Sequence, residues 1–251
     1  MIMHTTGRTL CRKVSDKEIS KRCHYSRFMI GPIEYGQAIS YGTSIRRTLL
    51  GLRGPHISVI TIRDLTHEFN TILGLKESAN EILANLSKIV IFDSGTHNIL
   101  TGKNDHFSNT YQTVNFQFKG PGILTAKAIN LASPFAIVDG NQYIATVDTA
   151  ITLDIIISIK NDRYNNIPLA SAFPFSTFLL KNNNQVVSNV NLNVISLDGL
   201  NEECLILEVW TNGGITPDRA VRLSGSIACS FYKTFLTIDN SNSGGRIRTS
   251  E

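Results

Sequence analysis

Two hydrophobic periodicities occur along the chain, and each predicts a different kind of element. Apolar residues recur at helical spacing from Gln37 to Leu52, in the segment 79–86, and again from Thr216 to Ile238. A stripe repeating every three to four residues is typical of an amphipathic helix with one buried face. The pattern therefore predicts two long helices near the ends of the chain and a shorter one between them.

Short runs that alternate, or that are rich in β-branched residues, predict strands. They are separated by Gly, Pro and Asn, which favour turns, as in the sequence GPG at 120–122. The predicted strands are 28–36, 57–62, 88–92, 113–118, 151–159, 190–197 and 204–211. Residues 1–26 are polar and weakly patterned, so no element is predicted there.

The segment 207–221, LEVWTNGGITPDRAV, predicts a strand, a tight turn and a capped helix. Asn212 and Gly213 tolerate the positive φ angles of a tight turn. Thr216 is a preferred N-cap, and Pro217 suits the first helical position because it has no N–H to leave unpaired. Asp218 places negative charge at the positive end of the helix dipole.

The stripe of this last helix must be covered by other apolar residues. It comprises Ala220, Leu223, Ser224, Ile227, Phe231, Phe235 and Ile238. Either the chain's own core or a second subunit covers it, and the pattern alone leaves both open. On the first long helix, Gly42 lies on the stripe, either to let another backbone approach or as a tolerated glycine. Arg46 and Arg47 lie on the flank, as solvated charges or as interface anchors.

Length and composition allow one large domain or two modest ones. The chain has 251 residues, 42% of them hydrophobic, and a net charge of +4. Residues 1–30 hold seven Lys or Arg and two acidic residues, which is compatible with a transit peptide or with the start of the fold. This charge also supports a free-standing basic nucleic-acid-binding protein as an alternative. No apolar run reaches the roughly 20 residues of a membrane helix, so no membrane partner is expected.

No catalytic, metal or cofactor motif is found. The sequence HEFNT at 67–71 lacks the second histidine of a zinc-protease motif, and no phosphate-binding glycine loop is present. The cysteines have no metal-ligand spacing, so Cys204 and Cys229 are interpreted as small buried residues. The adjacent Cys23 and His24 leave a small enzyme as a weaker alternative. We therefore predict no catalytic residue, no metal and no cofactor.

Five sequence segments, in the same order, resemble RNA polymerase alpha subunits, and their residues are most similar to those of the plastid-encoded type. They are SRFMIGPIEYGQAISYGTSIRRTLLG (26–51), HEFNTILGLKESANEILANLSKIVI (67–91), KGPGILTAKAI (119–129), FAIVDGNQYIAT (135–146) and ILEVWTNGGITPDRAV (206–221). The resemblance covers residues 8 to about 238. One departure is Thr43-Ser44, where the family usually has Gly-Asn.

The resemblance implies an α+β fold, in which a dimerisation domain of two long helices on an antiparallel sheet is interrupted by an inserted, mainly β domain. The dimerisation domain would comprise residues 1–53 plus 177–240, and the insert residues 54–176. The polar end, 241–251, is expected to be disordered. The C-terminal domain that binds promoter DNA in many members is expected to be absent, so DNA would be contacted only through the complex.

The family role implied is a plastid (chloroplast) assembly subunit that pairs with a second alpha copy and carries the beta and beta-prime subunits. It would belong to a nucleotidyltransferase without holding the active site. The implied subunit-interface residues are Ile45, Arg46, Arg47, Leu49, Leu50, Leu223, Ile227, Phe231 and Phe235. Segments 66–78 and 120–127 would face the large subunits, with His67, Glu68, Lys76 and Glu77 as contacts. A divergent paralogue with a weakened role is the remaining alternative.

Overall fold

The computed structural model describes residues 9–63, 65, 67–94, 112–161, 177–180, 184–197 and 201–236. Within these ranges the chain forms strands β1 to β12 and helices α1 to α3. The strands are Leu10–Ser20, Cys23–Glu34, Pro55–Ile62, Ile91–Asp93, Gln112–Lys119, Gly122–Thr125, Phe135–Ile137, Tyr143–Val147, Thr152–Asn161, Thr177–Leu179, Val187–Leu197 and Glu202–Thr211. The helices are Ala38–Leu50, Ala79–Ser87 and Pro217–Lys233.

Elements from the two ends of the chain form one unit, which we call the outer unit: β1, β2, α1, β11, β12 and α3. Its four strands make an antiparallel sheet in the order β1-β2-β12-β11. The predicted alternation of β12 is confirmed, because Leu205, Leu207 and Val209 are fully buried while Ile206 and Trp210, on the opposite face, are half-buried. This alternation places α1 and α3 on one face of the sheet.

The two predicted long helices pack against each other and against that face. Leu49 of α1 and Leu223 of α3 join one apolar core with Leu207. A Cβ added to Gly42 would lie 2.8 Å from Leu205 Cδ1. Gly42 therefore leaves room for a strand side chain, and not for another backbone as one interpretation of the pattern suggested.

The middle of the chain forms a second unit, which we call the central unit: β3 to β10 and α2. Its main sheet has the order β10-β3-β9-β5, and β4-β7 and β6-β8 form two-stranded sheets. Helix α2 begins with a capping box between Ser78 and Glu81, and its buried Ile82 and Leu86 enter a core that shares no residue with the outer unit's core. The predicted strand 88–92 begins later, at Ile91, because Lys88 is still the C-cap of α2.

The segment without a predicted element is the largest error of the sequence interpretation. From Leu10 onward the chain forms an antiparallel hairpin of β1 and β2. Strand β1 lies at the edge of the sheet and is exposed along almost its whole length. An edge strand exposed on both faces needs no apolar alternation, so the periodicity gave no signal.

Three local predictions also need correction. Cys229 is exposed and Cys204 is only half-buried, so neither is a fully buried small residue. Thr216 occupies the N-cap of α3, but its side chain makes no capping hydrogen bond. In the described corner only Gly213 has a positive φ, of 87°, while Asn212 stabilises the turn by accepting a hydrogen bond at Oδ1 from the Gly214 N–H.

Candidate subunit interface

Of the interface residues that the resemblance assigned to helix α1, some are buried in the core of the outer unit and others are exposed. Leu49 is fully buried, and Ile45 and Leu50 pack against the same core. Arg46 and Arg47 are exposed. Arg47 also lies in the last turn, where a cation interacts favourably with the helix dipole. The two arginines are therefore accessible to another chain, as are the exposed Ile39 and Tyr41 nearer the start of the helix.

Helix α3 uses only the first half of its stripe within its own chain. Leu223 is 8% exposed. Ile227, Phe231 and Phe235 are 45%, 60% and 58% exposed. We call the group Ile227, Phe231, Tyr232, Phe235 and Leu236 the helical apolar surface. The rings of Phe231 and Phe235 pack edge to face with centroids 5.4 Å apart, so this surface is an ordered aromatic patch.

The helical apolar surface is tied to α1 by a hydrogen bond. Ser44 Oγ lies 3.0 Å from the Tyr232 hydroxyl. Ser44 belongs to the Thr43-Ser44 pair, at which the sequence departs from the pattern that the resemblance implies. Its hydroxyl provides a polar contact between α1 and the far end of α3.

A second exposed surface lies on the central unit, in residues 67–78, which we call the presenting loop. His67, Glu68 and Lys76 are exposed, and residue 66 lies outside the described residues. The loop runs beside β8, where the Lys76 N–H donates to Thr146 O at 3.1 Å. A further bond joins the Asp148 N–H to Gly74 O at 2.8 Å. These backbone bonds hold the loop against a strand although it is itself irregular.

Glu77 uses its carboxylate within the chain. It accepts hydrogen bonds from the Thr146 N–H at 2.7 Å and from the Tyr143 hydroxyl. Partial burial acts to raise the pKa of the Glu77 carboxyl, but these hydrogen bonds outweigh it and hold the pKa below its usual value. Burial and the neighbouring Glu77 raise the pKa of the Tyr143 hydroxyl. Glu77 thus anchors the presenting loop to β8.

Comparison with known proteins places these surfaces in a family. The model of the RNA polymerase Rpb3/RpoA insert domain matches residues 60–166. The chain is 35% identical over 241 residues to the DNA-directed RNA polymerase subunit alpha of Phaseolus angularis, covering 94% of this chain and 68% of that one. It is 35% identical over 246 residues to the subunit of Glycine max, covering 96% and 69%. The chain belongs to the RNA polymerase alpha subunit family.

The extent of the match differs among alpha subunits. The chain is 37% identical over 235 residues to the subunit of Takakia lepidozioides, covering 90% of this chain but 63% of that one. For Anthoceros angustus the shares are 83% and 58%. The insert domain of the family corresponds to most of the central unit, including the presenting loop.

The sequence interpretation missed three strongly exposed apolar residues of this alpha-family chain. Phe69 and Leu73 in the presenting loop are 80% and 91% exposed, and Ile123 in β6 is 63% exposed. Ile123 falls within the segment 120–127 that the resemblance assigned to the large subunits. The available signal was that the apolar Phe69 and Leu73 lie in a segment with no predicted element, where neighbouring exposed apolar side chains indicate an interaction surface.

Other kinds of site are not found in the described part of the chain. None of its His, Cys, Asp and Glu groups is arranged to hold a metal ion. No described helix combines the length and hydropathy required to cross a bilayer. Of the adjacent Cys23 and His24, the histidine faces a carboxylate, with Nε2 3.5 Å from Glu18 Oε1.

Proposed function

We propose that this chain is a non-catalytic assembly subunit of a DNA-dependent RNA polymerase, which pairs with a second copy and carries the two large subunits. The observation that carries the proposal is the helical apolar surface, where two phenylalanines are about 60% exposed. Aromatic patches of this kind on an ordered helix are typical of protein interfaces.

The occupant we propose for the helical apolar surface is a second copy of the chain. Most homo-oligomers have twofold symmetry, in which the same patch meets itself. Ile227, Phe231 and Phe235 would meet their counterparts there, while Leu49 and Leu223 support them from within. The outer unit would then be the dimerisation domain, expected at 1–53 plus 177–240 and interrupted by an insert at 54–176. Strand β10, Thr177–Leu179, would belong with the insert, because it pairs with β3 of the central unit.

The large subunits, beta and beta-prime, would bind at the exposed arginines and at the presenting loop. Arginine and large aromatic residues are enriched among the residues that dominate binding energy. Arg46 and Arg47 are the arginines at this proposed surface. In the presenting loop, Phe69 is the large aromatic residue, and it lies beside His67 and Glu68. The exposed side chain of Lys76 would contact a large subunit directly, whereas Glu77 would act indirectly by holding the loop in place.

The reaction, the cofactors and the contact with DNA would belong to the complex. The relatives are named DNA-directed RNA polymerase subunit alpha and come from plants, which supports a plastid (chloroplast) location. A free-standing nucleic-acid-binding protein is less well supported, because part of the basic N-terminal charge is paired. Lys13 Nζ lies 2.8 Å from both Asp16 and Asp218 carboxylates.

The test is co-expression of the tagged chain with the two large subunits, followed by purification and light scattering. We expect a complex containing two copies of this chain, and loss of the large subunits when Arg46 and Arg47 are both changed to alanine. The matched control changes Arg12 and Lys17 to alanine, which removes the same charge from exposed positions of β1. A native chain that stays monomeric and binds neither large subunit would overturn the proposal.

A further inference from the structure

The outer and central units meet at a small, largely polar contact that we call the joint. On the outer side it consists of the β1–β2 turn, the corner 212–214 and Arg219 of α3. On the central side it consists of residues 88–93 and 138–142. The corner 207–221, which the sequence specifies so fully, therefore lies at the boundary between the two units and also begins α3.

Two arginines of the outer unit donate hydrogen bonds to backbone carbonyls of the central unit. Arg22 Nη2 donates to Lys88 O at 3.0 Å. Lys88 is the C-cap of α2, where carbonyls have no partner within the helix. Arg219 Nη1 donates to Asp93 O at 2.5 Å, at the end of β4. Both bonds are directional, so they fix an orientation as well as a distance.

The glycines of the corner leave room for close contacts with the β1–β2 turn and with the central unit. A Cβ on Gly213 would lie 2.3 Å from Lys21 O, in the outer unit's own β1–β2 turn, and 2.9 Å from Val138 Cγ1 of the central unit. The positive φ of Gly213 disfavours other residues for a second reason. On Gly214, a Cβ would lie 3.1 Å from Ile91 O. A side chain here would push the central unit away.

Apolar packing does not by itself determine the angle between the units. Their main cores have no residue in common. Beside the joint lies a half-open cavity of about 320 Å³, lined by polar side chains such as Arg22, His56 and Asn184 and by apolar ones such as Ile89 and Val186. A cavity at the boundary reduces the contacts that resist rotation. The arginine bonds and the corner therefore act together with the weaker Lys21–Asp139 ion pair at 3.9 Å.

We propose that Arg22, Arg219 and the glycines of the corner form a positioning device that holds the insert at a fixed angle to the helices of the outer unit. This inference rests on the proposed function. The helical apolar surface and the presenting loop lie on different units, so a partner complex engages both only when their separation is correct. A fixed angle removes the ordering that a free hinge would have to undergo on binding.

The first measurement is the distance between labels on α1 and α2, introduced at the exposed Ser40 and Asn80 through unnatural amino acids. We expect one narrow distance distribution in the native chain. Changing Arg22 and Arg219 together to methionine should broaden or shift it, with unchanged far-ultraviolet circular dichroism. The matched control is Arg222→Met, on the same helix. Gly214→Ala tests the close approach separately, because its Cβ would lie 3.1 Å from Ile91 O of the central unit, and should shift the mean distance.

The second measurement is assembly with the two large subunits. We expect the arginine double variant to keep its own dimer but to bind the large subunits more weakly by about tenfold or more, because simultaneous engagement requires compatible geometry. Arg219→Lys, which retains a donor, should recover part of the loss. An unchanged distance distribution in the double variant would refute the claim that the two arginines fix the angle between the units. A changed distribution with native assembly would refute the claim that this angle matters for binding the large subunits. Failure of the native chain to assemble would instead count against the proposed function.

Discussion

Changing Phe231 and Phe235 together to serine should abolish pairing of the chain without unfolding it. Both rings are more than half exposed, and neither belongs to the buried core of the outer unit. Their removal therefore costs the folded monomer little. In a twofold dimer each substitution occurs twice, so four rings leave the interface.

The magnitude follows from the exposed area. A phenylalanine presents about 200 Å² of surface, so the exposed part of each ring is roughly 100 Å². At about 25 cal/mol per Å², covering it stabilises the dimer by about 2.5 kcal/mol per ring, or about 10 kcal/mol for four fully covered rings. Even one-third coverage gives about 3 kcal/mol, which weakens the dissociation constant by more than about 100-fold.

The assay is sedimentation velocity over a dilution series, with urea unfolding as the measure of fold stability. The control variant changes Phe69 and Leu73 to serine, which removes apolar side chains that are 80% and 91% exposed on the central unit. We expect this control to dimerise normally but to bind the large subunits poorly. The reasoning fails if the Phe231 and Phe235 variant dimerises as the native chain does, or if the native chain is a monomer throughout.

Three further substitutions test the packing and the loop. Leu49→Ala removes a fully buried side chain and should lower the free energy of unfolding by about 2–5 kcal/mol in urea titrations. Ser78→Ala breaks the capping box of α2 and should cost about 1 kcal/mol in the same assay. Because the pKa of Glu77 is lowered in the folded chain, its contribution is present above the ordinary carboxyl pKa and is lost as pH falls through the lowered value. Glu77→Gln should therefore flatten the acid side of a plot of urea midpoint against pH, and an unchanged slope would contradict this.

The helices and the longer strands could be predicted because their burial is periodic, whereas the short strands β6, β7, β8 and β10 were not predicted. Strand β12 alternates without interruption, and α1 keeps one apolar stripe. The stripe of α3 predicted a helix but could not show what covers it. The periodicity indicates only that one face of the helix packs against other apolar residues. In the structure Leu223 on this face is buried in the core, whereas the ring of Phe231 on the same face is exposed.

The candidate site could be predicted where local geometry decides it. Arg46 follows Ile45 by one residue, so it had to leave the buried stripe. The role of Glu77 could not be predicted, because its partners Thr146 and Tyr143 are distant in sequence and come close only when β8 lies beside the loop. The joint escaped prediction for the same reason, since Arg219 contacts a carbonyl far away along the chain.

The order of strands in the outer sheet has a consequence for how the protein is made. Phe28 of β2 lies opposite Leu207 of β12, so a ribosome must synthesise most of the chain before this pair can form. Strands β3 to β9 emerge in between and can close on one another first. The amino-terminal hairpin meanwhile waits without its neighbour, and joining ends so far apart is entropically slow. The nascent chain therefore keeps an apolar sheet face uncovered until β12 has been synthesised, and exposed apolar surface of this kind favours aggregation during that interval.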